Sequence, residues 1–334
     1  MKDIAVVILN FNGKQFLERF LQKNLDCSAE ADVIVVDNAS TDHSVPFLHA
    51  SFPDVQVVSL KQNYGFAKGY NEGLKHLNYK YYILLNSDVE VSEGWIPPLI
   101  STLEKQEKVV AVQPKIKSFA HPEAFEYAGA AGGHLDLFGY AFCRGRVFDT
   151  VEKDHGQYED ASEIFWASGA CMAVKASAFK EENGFDERFF AHMEEIDLCW
   201  RWLNKGYSIL YVPQSQVYHI GGGTLQTGSS FKTYLNFRNN LAMMFKNLPG
   251  KYLIPVLFAR LSLDGISGIR FLLQGSPSLL WAVLKSHFMF YYWLPYLIKK
   301  RRGSDLGYQK LFKGSIVKAY FMDSKKTYSE ICSK

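Results

Sequence analysis

The chain reads as an α/β protein with a mostly parallel central sheet and a helical C-terminal region, and three observations predict it. Short β-rich apolar runs alternate with helical patterns from Ile4 to Leu85, the signature of strand-helix crossover units. Polar residues cluster where those runs end, and an open parallel sheet binds ligands beyond the carboxyl ends of its strands. Beyond about Gly228 the composition turns apolar, aromatic and basic. We therefore expect two regions, residues 1–228 and 229–334.

In order, the strand patterns are Ile4 to Leu9, Val33 to Val36, Val55 to Leu60 and Tyr82 to Leu85. The helical patterns between them run over Phe16 to Leu25, Ser44 to Ala50 and Phe66 to Leu77. Asn10-Phe11-Asn12-Gly13, Asp37 to Asp42, Asn63-Tyr64-Gly65 and Asn86-Ser87-Asp88 follow the strands, so four loops can converge on one crevice. From about Gly129 to Phe165 periodicity weakens, which predicts irregular structure or a substrate-facing insert. A helix is expected again near Glu194. Residues Tyr252 to Phe271 and Ser278 to Ile298 are strongly apolar, yet Arg260, Asp264, Arg270, Lys285 and His287 interrupt them and Pro255, Pro277 and Pro295 should break them up. Neither is a clean membrane span. With Lys299-Lys300-Arg301-Arg302 immediately after, they predict a peripheral anchor on an anionic membrane surface, or else a helical subdomain packed on itself or on a partner subunit.

Composition narrows the function classes. The chain has 334 residues, 48% hydrophobic and 15% aromatic, enough for a sizeable core. A formal charge of +3 is too small for nucleic-acid binding by bulk electrostatics. Five cysteines without a Cys-x-x-Cys spacing point to neither a disulfide framework nor a zinc site. The apolar run after Met1-Lys2-Asp3 is too brief for a signal-peptide core, so a cytoplasmic protein is expected.

The chemistry concentrates in two acidic clusters. Asp88-Val89-Glu90 ends the buried run Tyr82 to Leu85, and an extended backbone puts both carboxylates on one face. Oxygen ligands there suit Mg2+ or Mn2+, ions that use one or two protein carboxylates and leave the rest to water and phosphates. His219, at a strand end before Gly221-Gly222-Gly223-Thr224, could complete that shell. The second cluster is Glu194-Glu195-Ile196-Asp197 at a helix start. Asp197 and Arg201 are four apart and can pair, which leaves Glu195 free. A carboxylate beside other negative charge has a raised pKa and suits a general base. Asp37 can accept hydrogen bonds from a base or ribose, and Gly65 with Lys68 opens a helix suited to phosphate or nucleoside contact.

Taken in order, Val6 to Gly13, Val35 to Asp42, Asn63 to Ala67, Leu85 to Glu90, Trp166 to Ala170 and Glu194 to Arg201 resemble the glycosyltransferase family 2 enzymes, most closely the bacterial rhamnosyltransferase-type members. The resemblance covers roughly residues 3 to 225 and implies the GT-A nucleotide-diphospho-sugar transferase fold, with inverting transfer of a sugar to an acceptor hydroxyl. It implies Mn2+ or Mg2+ at Asp88, Glu90 and His219, and Glu195 as the base, with Glu194 and Asp197 as competitors. The nucleotide-sugar donor would meet Asn10, Asp37, Asn38, Gly65, Lys68, Asn71, Asn86 and Ser87. Trp166, Gly169, Glu194 and Asp197 would face donor sugar or acceptor. The donor would be a dTDP- or UDP-sugar such as dTDP-rhamnose, and the acceptor a glycan or lipid-linked acceptor of cell-surface polysaccharide synthesis, reached from the inner leaflet. No nucleic-acid partner is expected, and the C-terminal helices could form a homo-oligomer. Two other classes compete. A sugar-phosphate nucleotidyltransferase needs a glycine-rich basic loop, and Asn10 to Lys14 has one glycine and one lysine. A non-catalytic membrane-bound carbohydrate-binding scaffold would have little use for both acidic clusters.

Overall fold

A computed structural model of the chain describes residues 2–221 and 228–332. Nine strands form the main sheet, in the order β11-β13-β6-β12-β4-β1-β2-β3 with β5 paired to β13. They are β1 (Ile4–Asn10), β2 (Asp32–Asp37), β3 (Gln56–Ser59), β4 (Tyr81–Asn86), β5 (Val89–Val91), β6 (Val109–Ser118), β11 (Ser162–Glu163), β12 (Cys171–Lys175) and β13 (Ser208–His219). The half built by β4, β1, β2 and β3 is parallel, as its sequence pattern predicts. The other half makes the sheet mixed, because β12 runs antiparallel to both β4 and β6.

Helices α1 (Lys14–Asp26), α2 (Ser44–Ser51), α3 (Gly65–Leu74), α4 (Ile96–Lys105), α5 (Ala176–Glu181) and α6 (Glu194–Asn204) cover it. Alternate residues of β1 enter separate cores: Val6 and Ile8 pack with Leu17 and Leu21 of α1 and Leu99 of α4, whereas Ala5 and Val7 pack with Ala67 and Tyr70 of α3. A sheet buried on both faces reads as continuous apolar sequence, which is why these strands were legible. Register lines up their polar ends: Asn10 lies beside Asp37, Leu9 beside Asn86 and Asp37 beside Ser59.

The stretch Gly129 to Phe165 is not wholly irregular. It holds a small antiparallel sheet of β7 (Gly133–Leu135), β8 (Ala141–Cys143), β9 (Arg146–Val147) and β10 (Thr150–Val151). Strands this short carry too few residues for a visible period. The sheet packs against the end of the chain, with Phe142 touching the rings of Phe312 and Tyr328.

The C-terminal region is helical: α7 (Ser230–Asn247), α8 (Gly250–Leu273), α9 (Pro277–Lys300), α10 (Asp305–Gln309), α11 (Ile316–Phe321) and α12 (Tyr328–Cys332). Ser229 caps α7, its hydroxyl accepting the Lys232 amide at 3.3 Å. The prolines do not break α8 and α9 as expected; both helices run through Pro255 and Pro295. Pro277 stands at the start of α9, where its missing N–H has no helical partner anyway. No helix among the described residues is long and apolar enough to cross a membrane.

Candidate active site

The polar strand ends and α6 enclose a cavity of about 460 Å³. Asn86 at the end of β4 and Ser87 and Asp88 after it line the cavity, and His219 at the end of β13 stands beside Asp88. Glu194 and Glu195 line the same cavity, with Asn38, Gly65, Ser168, Gly169, His192, Phe231 and Lys232. The glycine run after His219 falls, from Gly222 onward, outside the described residues.

Asp88 and His219 are both buried, and Asp88 Oδ1 lies 3.1 Å from His219 Nε2. On the other side of the ring, Glu126 Oε2 is 3.1 Å from Nδ1, near enough to pair electrostatically but not aligned as a hydrogen bond. Burial alone would lower the imidazole pKa, but the two carboxylates outweigh it and push it up to about 10. With both nitrogens at carboxylates the imidazole keeps its protons; to bind an ion at Nε2 it would have to release that proton, while Glu126 at Nδ1 would hold the ring in place, as a carboxylate does behind a metal-binding histidine. Among the described residues no three His, Cys, Asp or Glu side chains form a metal cage. Asp88 and His219 can therefore supply two ligands at most from this group, which fits an ion that leaves its other positions to water and diphosphate.

Helix α6 opens with three carboxylates in one turn. Asp197 is fully buried away from the cavity, bound by Lys246 Nζ at 2.9 Å, Arg201 Nε at 3.0 Å and Asn247 Nδ2 at 2.9 Å. Glu194 and Glu195 have no such cation, and Oε2 of each is buried without a hydrogen-bond partner among the described residues. Burial raises the Glu195 pKa to about 7. Glu194 is pushed well above the carboxylate range by burial and by Glu195 beside it.

The loop leading into α6 is strained and clamped. Phe190, His192 and Met193 all have left-handed φ, at 66°, 70° and 71°, a conformation costly for residues with a Cβ. Asn239 of α7 donates from Nδ2 to the carbonyls of Phe189, Ala191 and His192 at 2.9, 2.9 and 2.7 Å. Arg238 Nη2 donates to the Phe189 carbonyl at 3.0 Å. From the other side, the Phe66 and Ala67 amides at the start of α3 donate to the Phe190 carbonyl at 2.7 and 3.1 Å. Gly65 permits this approach: its φ is +76°, and a Cβ there would sit 2.5 Å from the Phe190 ring.

Of the residues singled out from sequence, Asn38, Gly65, Asn86, Ser87, Asp88, Gly169, Glu194, Glu195 and His219 line the cavity. Others are not among the lining residues. Glu90 pairs opposite Tyr218 in the β5–β13 ladder while its neighbours Val89 and Val91 are buried; Asp88 sits in the turn before β5, so the two carboxylates do not share an extended face. Asn10 and Asp37 bond each other behind the cavity, Nδ2 to Oδ1 at 3.1 Å. Lys68 pairs with Glu187 at 3.0 Å, and Asn71 exchanges hydrogen bonds with the Phe185 backbone. Trp166 is buried, its Nε1 donating to the His134 carbonyl at 2.9 Å. Sequence reasoning missed Glu126, His192, Lys232 and the Arg238-Asn239 clamp. Glu126 and the Arg238-Asn239 clamp carry no local signal, since each meets its partner far along the chain.

A mixed sheet whose strand-end crevice gathers an Asp-His pair and the acids of α6 has the architecture of a GT-A-like glycosyltransferase. The chain belongs to glycosyltransferase family 2, whose family model, "Glycosyl transferase family 2", matches residues 5–181. It is 26% identical over 235 residues to N-acetylglucosaminyl-diphospho-decaprenol L-rhamnosyltransferase of Mycobacterium tuberculosis, covering 66% of this chain and 76% of that protein. It is 24% identical over 223 residues to rhamnosyltransferase WbbL of Escherichia coli K12, covering 65% and 83%. Among solved structures it is similar to GalNAc-T7, crystallised with UDP, GalNAc and Mn2+, at a TM-score of 0.57 and 16% identity, over 75% of this chain and 49% of that one.

Proposed function

We propose that this enzyme transfers a sugar, with inversion, from a dTDP- or UDP-sugar to a hydroxyl of a lipid-linked glycan, dTDP-rhamnose being the first donor to test. The curated relatives named as rhamnosyltransferases support that choice of donor. One observation carries the reading: an acid poised near neutrality, Glu195, shares a cavity with the Asp88-His219 pair.

In this reading Asp88 and His219 hold Mn2+ or Mg2+, with Glu126 fixing the imidazole from behind. The bound ion supplies Lewis-acid charge at the diphosphate. Glu195 accepts the proton of the acceptor hydroxyl as its oxygen attacks the anomeric carbon. A single displacement from the face opposite the leaving group inverts that carbon. Lys232, whose pKa is lowered by burial, adds positive charge at the rim where the departing diphosphate would lie. Asn38 and Ser87 orient the donor, while Asn10 and Asp37 shape the nucleoside end from behind. Glu194, its pKa raised by burial and by Glu195 beside it, faces the same cavity and is placed to meet a sugar oxygen. The acceptor is presented at the inner face of the cell membrane, so the enzyme works as a peripheral protein.

The test is a donor screen that follows nucleoside diphosphate release with Mn2+, Mg2+ or a chelator. Turnover of a dTDP- or UDP-sugar is expected, abolished by chelation and lowered in Asp88→Asn, with transfer to acceptor lost in Glu195→Gln. Turnover that survives chelation and both substitutions would overturn the assignment.

A further inference from the structure

We infer that the hairpin of α8 and α9 is an interfacial docking surface that seats the enzyme on an anionic lipid bilayer beside its own cavity mouth. The inference deepens the reading above, since it assigns membrane contact to one face of one hairpin. On α8 the side chains of Ile254, Phe258 and Ile269 point to solvent, and on α9 those of Trp281, Phe288 and Tyr292 do. Exposure is high for rings of this size: 74% for Phe258, 69% for Phe288 and 77% for Tyr292. The spacings of three, four and their sums place each set along one stripe of its helix. Isolated exposed apolar residues are ordinary, but six large ones on two helices packed against each other are more than scattered exposure, and such a concentration marks an interaction surface.

Charge identifies the occupant. Between Gly250 and Lys300 the sequence contains a single acid, Asp264. It is fully buried, bound by Arg260 Nε at 2.7 Å and facing His287. Every exposed charge on the hairpin is therefore basic: Lys251, Arg270, Lys285, Lys299 and Lys300. A second copy of this face would meet it with like charge, whereas anionic headgroups meet both the apolar stripes and the cationic edge. Because neither helix can span, the hairpin lies along the surface.

The patch also adjoins the site. Lys285 sits 4.9 Å over the Tyr234 ring, Tyr234 stacks on Phe231 at 6.4 Å, and Phe231 meets Phe190 at 6.2 Å. Phe231 and Phe190 line the cavity. A lipid-borne acceptor held in the headgroup layer would thus reach Glu195 without leaving the membrane.

The full chain should be floated with vesicles of phosphatidylcholine alone and with added phosphatidylglycerol. Binding should be about tenfold or more tighter to the anionic vesicles and weaken with salt, each lysine near such a surface contributing roughly fivefold. Phe288→Ser with Tyr292→Ser, and separately Lys299→Glu with Lys300→Glu, should each lower it about tenfold or more, while donor hydrolysis in vesicle-free solution stays at the wild-type rate. Equal binding to neutral and anionic vesicles, or wild-type binding by both double variants, would overturn the inference. So would self-association in sedimentation that the Phe288 and Tyr292 substitutions abolish without any vesicle binding, which would give the face to a second copy. Loss of donor hydrolysis on chelation bears on the metal reading alone, so the two can fail separately.

Discussion

On the core side of α6, Asp197 is held by two cations and an amide; two residues earlier, on the cavity side, Glu195 has an oxygen with no partner among the described residues and a pKa raised to about 7. The same turn of one helix thus surrounds one carboxylate with cations and leaves another at the edge of protonation. Residue type and local sequence are nearly identical, so what separates structural from chemical carboxylates here is whether a neighbouring element delivers a cation. The cations come from α7, through Lys246, and from α6 itself, through Arg201. The sharpest way to break this contrast is Glu195→Gln. Transfer should fall about 10²–10⁴-fold, the range for losing a general base. Initial rates of product formation with acceptor check it, and a loss under about tenfold would move the base to Glu194.

The complementary change is Lys246→Met. Lys246 Nζ bridges Asp186 at 2.6 Å and Asp197 at 2.9 Å, all three nearly inaccessible to water, and Tyr296 of α9 donates to Asp186 at 2.7 Å. Removing the cation strands two buried anions, at a cost of about 3–5 kcal/mol. Urea unfolding should show that loss; an unchanged midpoint would mean that Arg201 alone satisfies Asp197.

These two substitutions also mark the limit of what the sequence could reveal. The parallel half of the sheet was legible because strands buried on both faces are written as uninterrupted apolar runs, and Asp88 and Glu195 because charge is anomalous at such places. The Asp197-Arg201 pair followed from helix spacing. Lys246, Glu126 and Asn239 did not, because each reaches its partner across 49, 93 and 47 to 50 positions of chain, where local pattern carries no information. Glu90 misled for a related reason: period-two reasoning assumes an extended backbone, and a turn intervenes at Asp88.

Glu126 offers a smaller effect. Its carboxylate stands behind His219 and also accepts the Ala128 amide at 2.6 Å, so Glu126→Gln should keep the fold. Losing the charge that orients a ligand histidine weakens metal affinity by about 10–100-fold. Activity titrated with Mn2+ should therefore shift its midpoint to higher metal and approach the wild-type plateau. An unshifted midpoint would detach Glu126 from the metal site.

The smallest expected effect concerns stability rather than rate, and its sign follows from the direction of the Glu195 shift. In the folded protein this carboxyl holds its proton up to about pH 7, while in the unfolded chain it releases it near about 4.3. Between those values the folded state binds more protons, so the stability linked to this group is complete below the unfolded value and is lost as pH rises through about 7. Glutamine has no proton to lose. Glu195→Gln should therefore raise Tm over the wild type by a few degrees at about pH 8 and by clearly less at about pH 5. Glu194 is shifted the same way but is present in both proteins, so the pH-dependent part of the difference isolates position 195. Equal Tm gains at both pH values would show an ordinary carboxylate at position 195, and the contrast between the two faces of α6 would then rest on Asp197 alone.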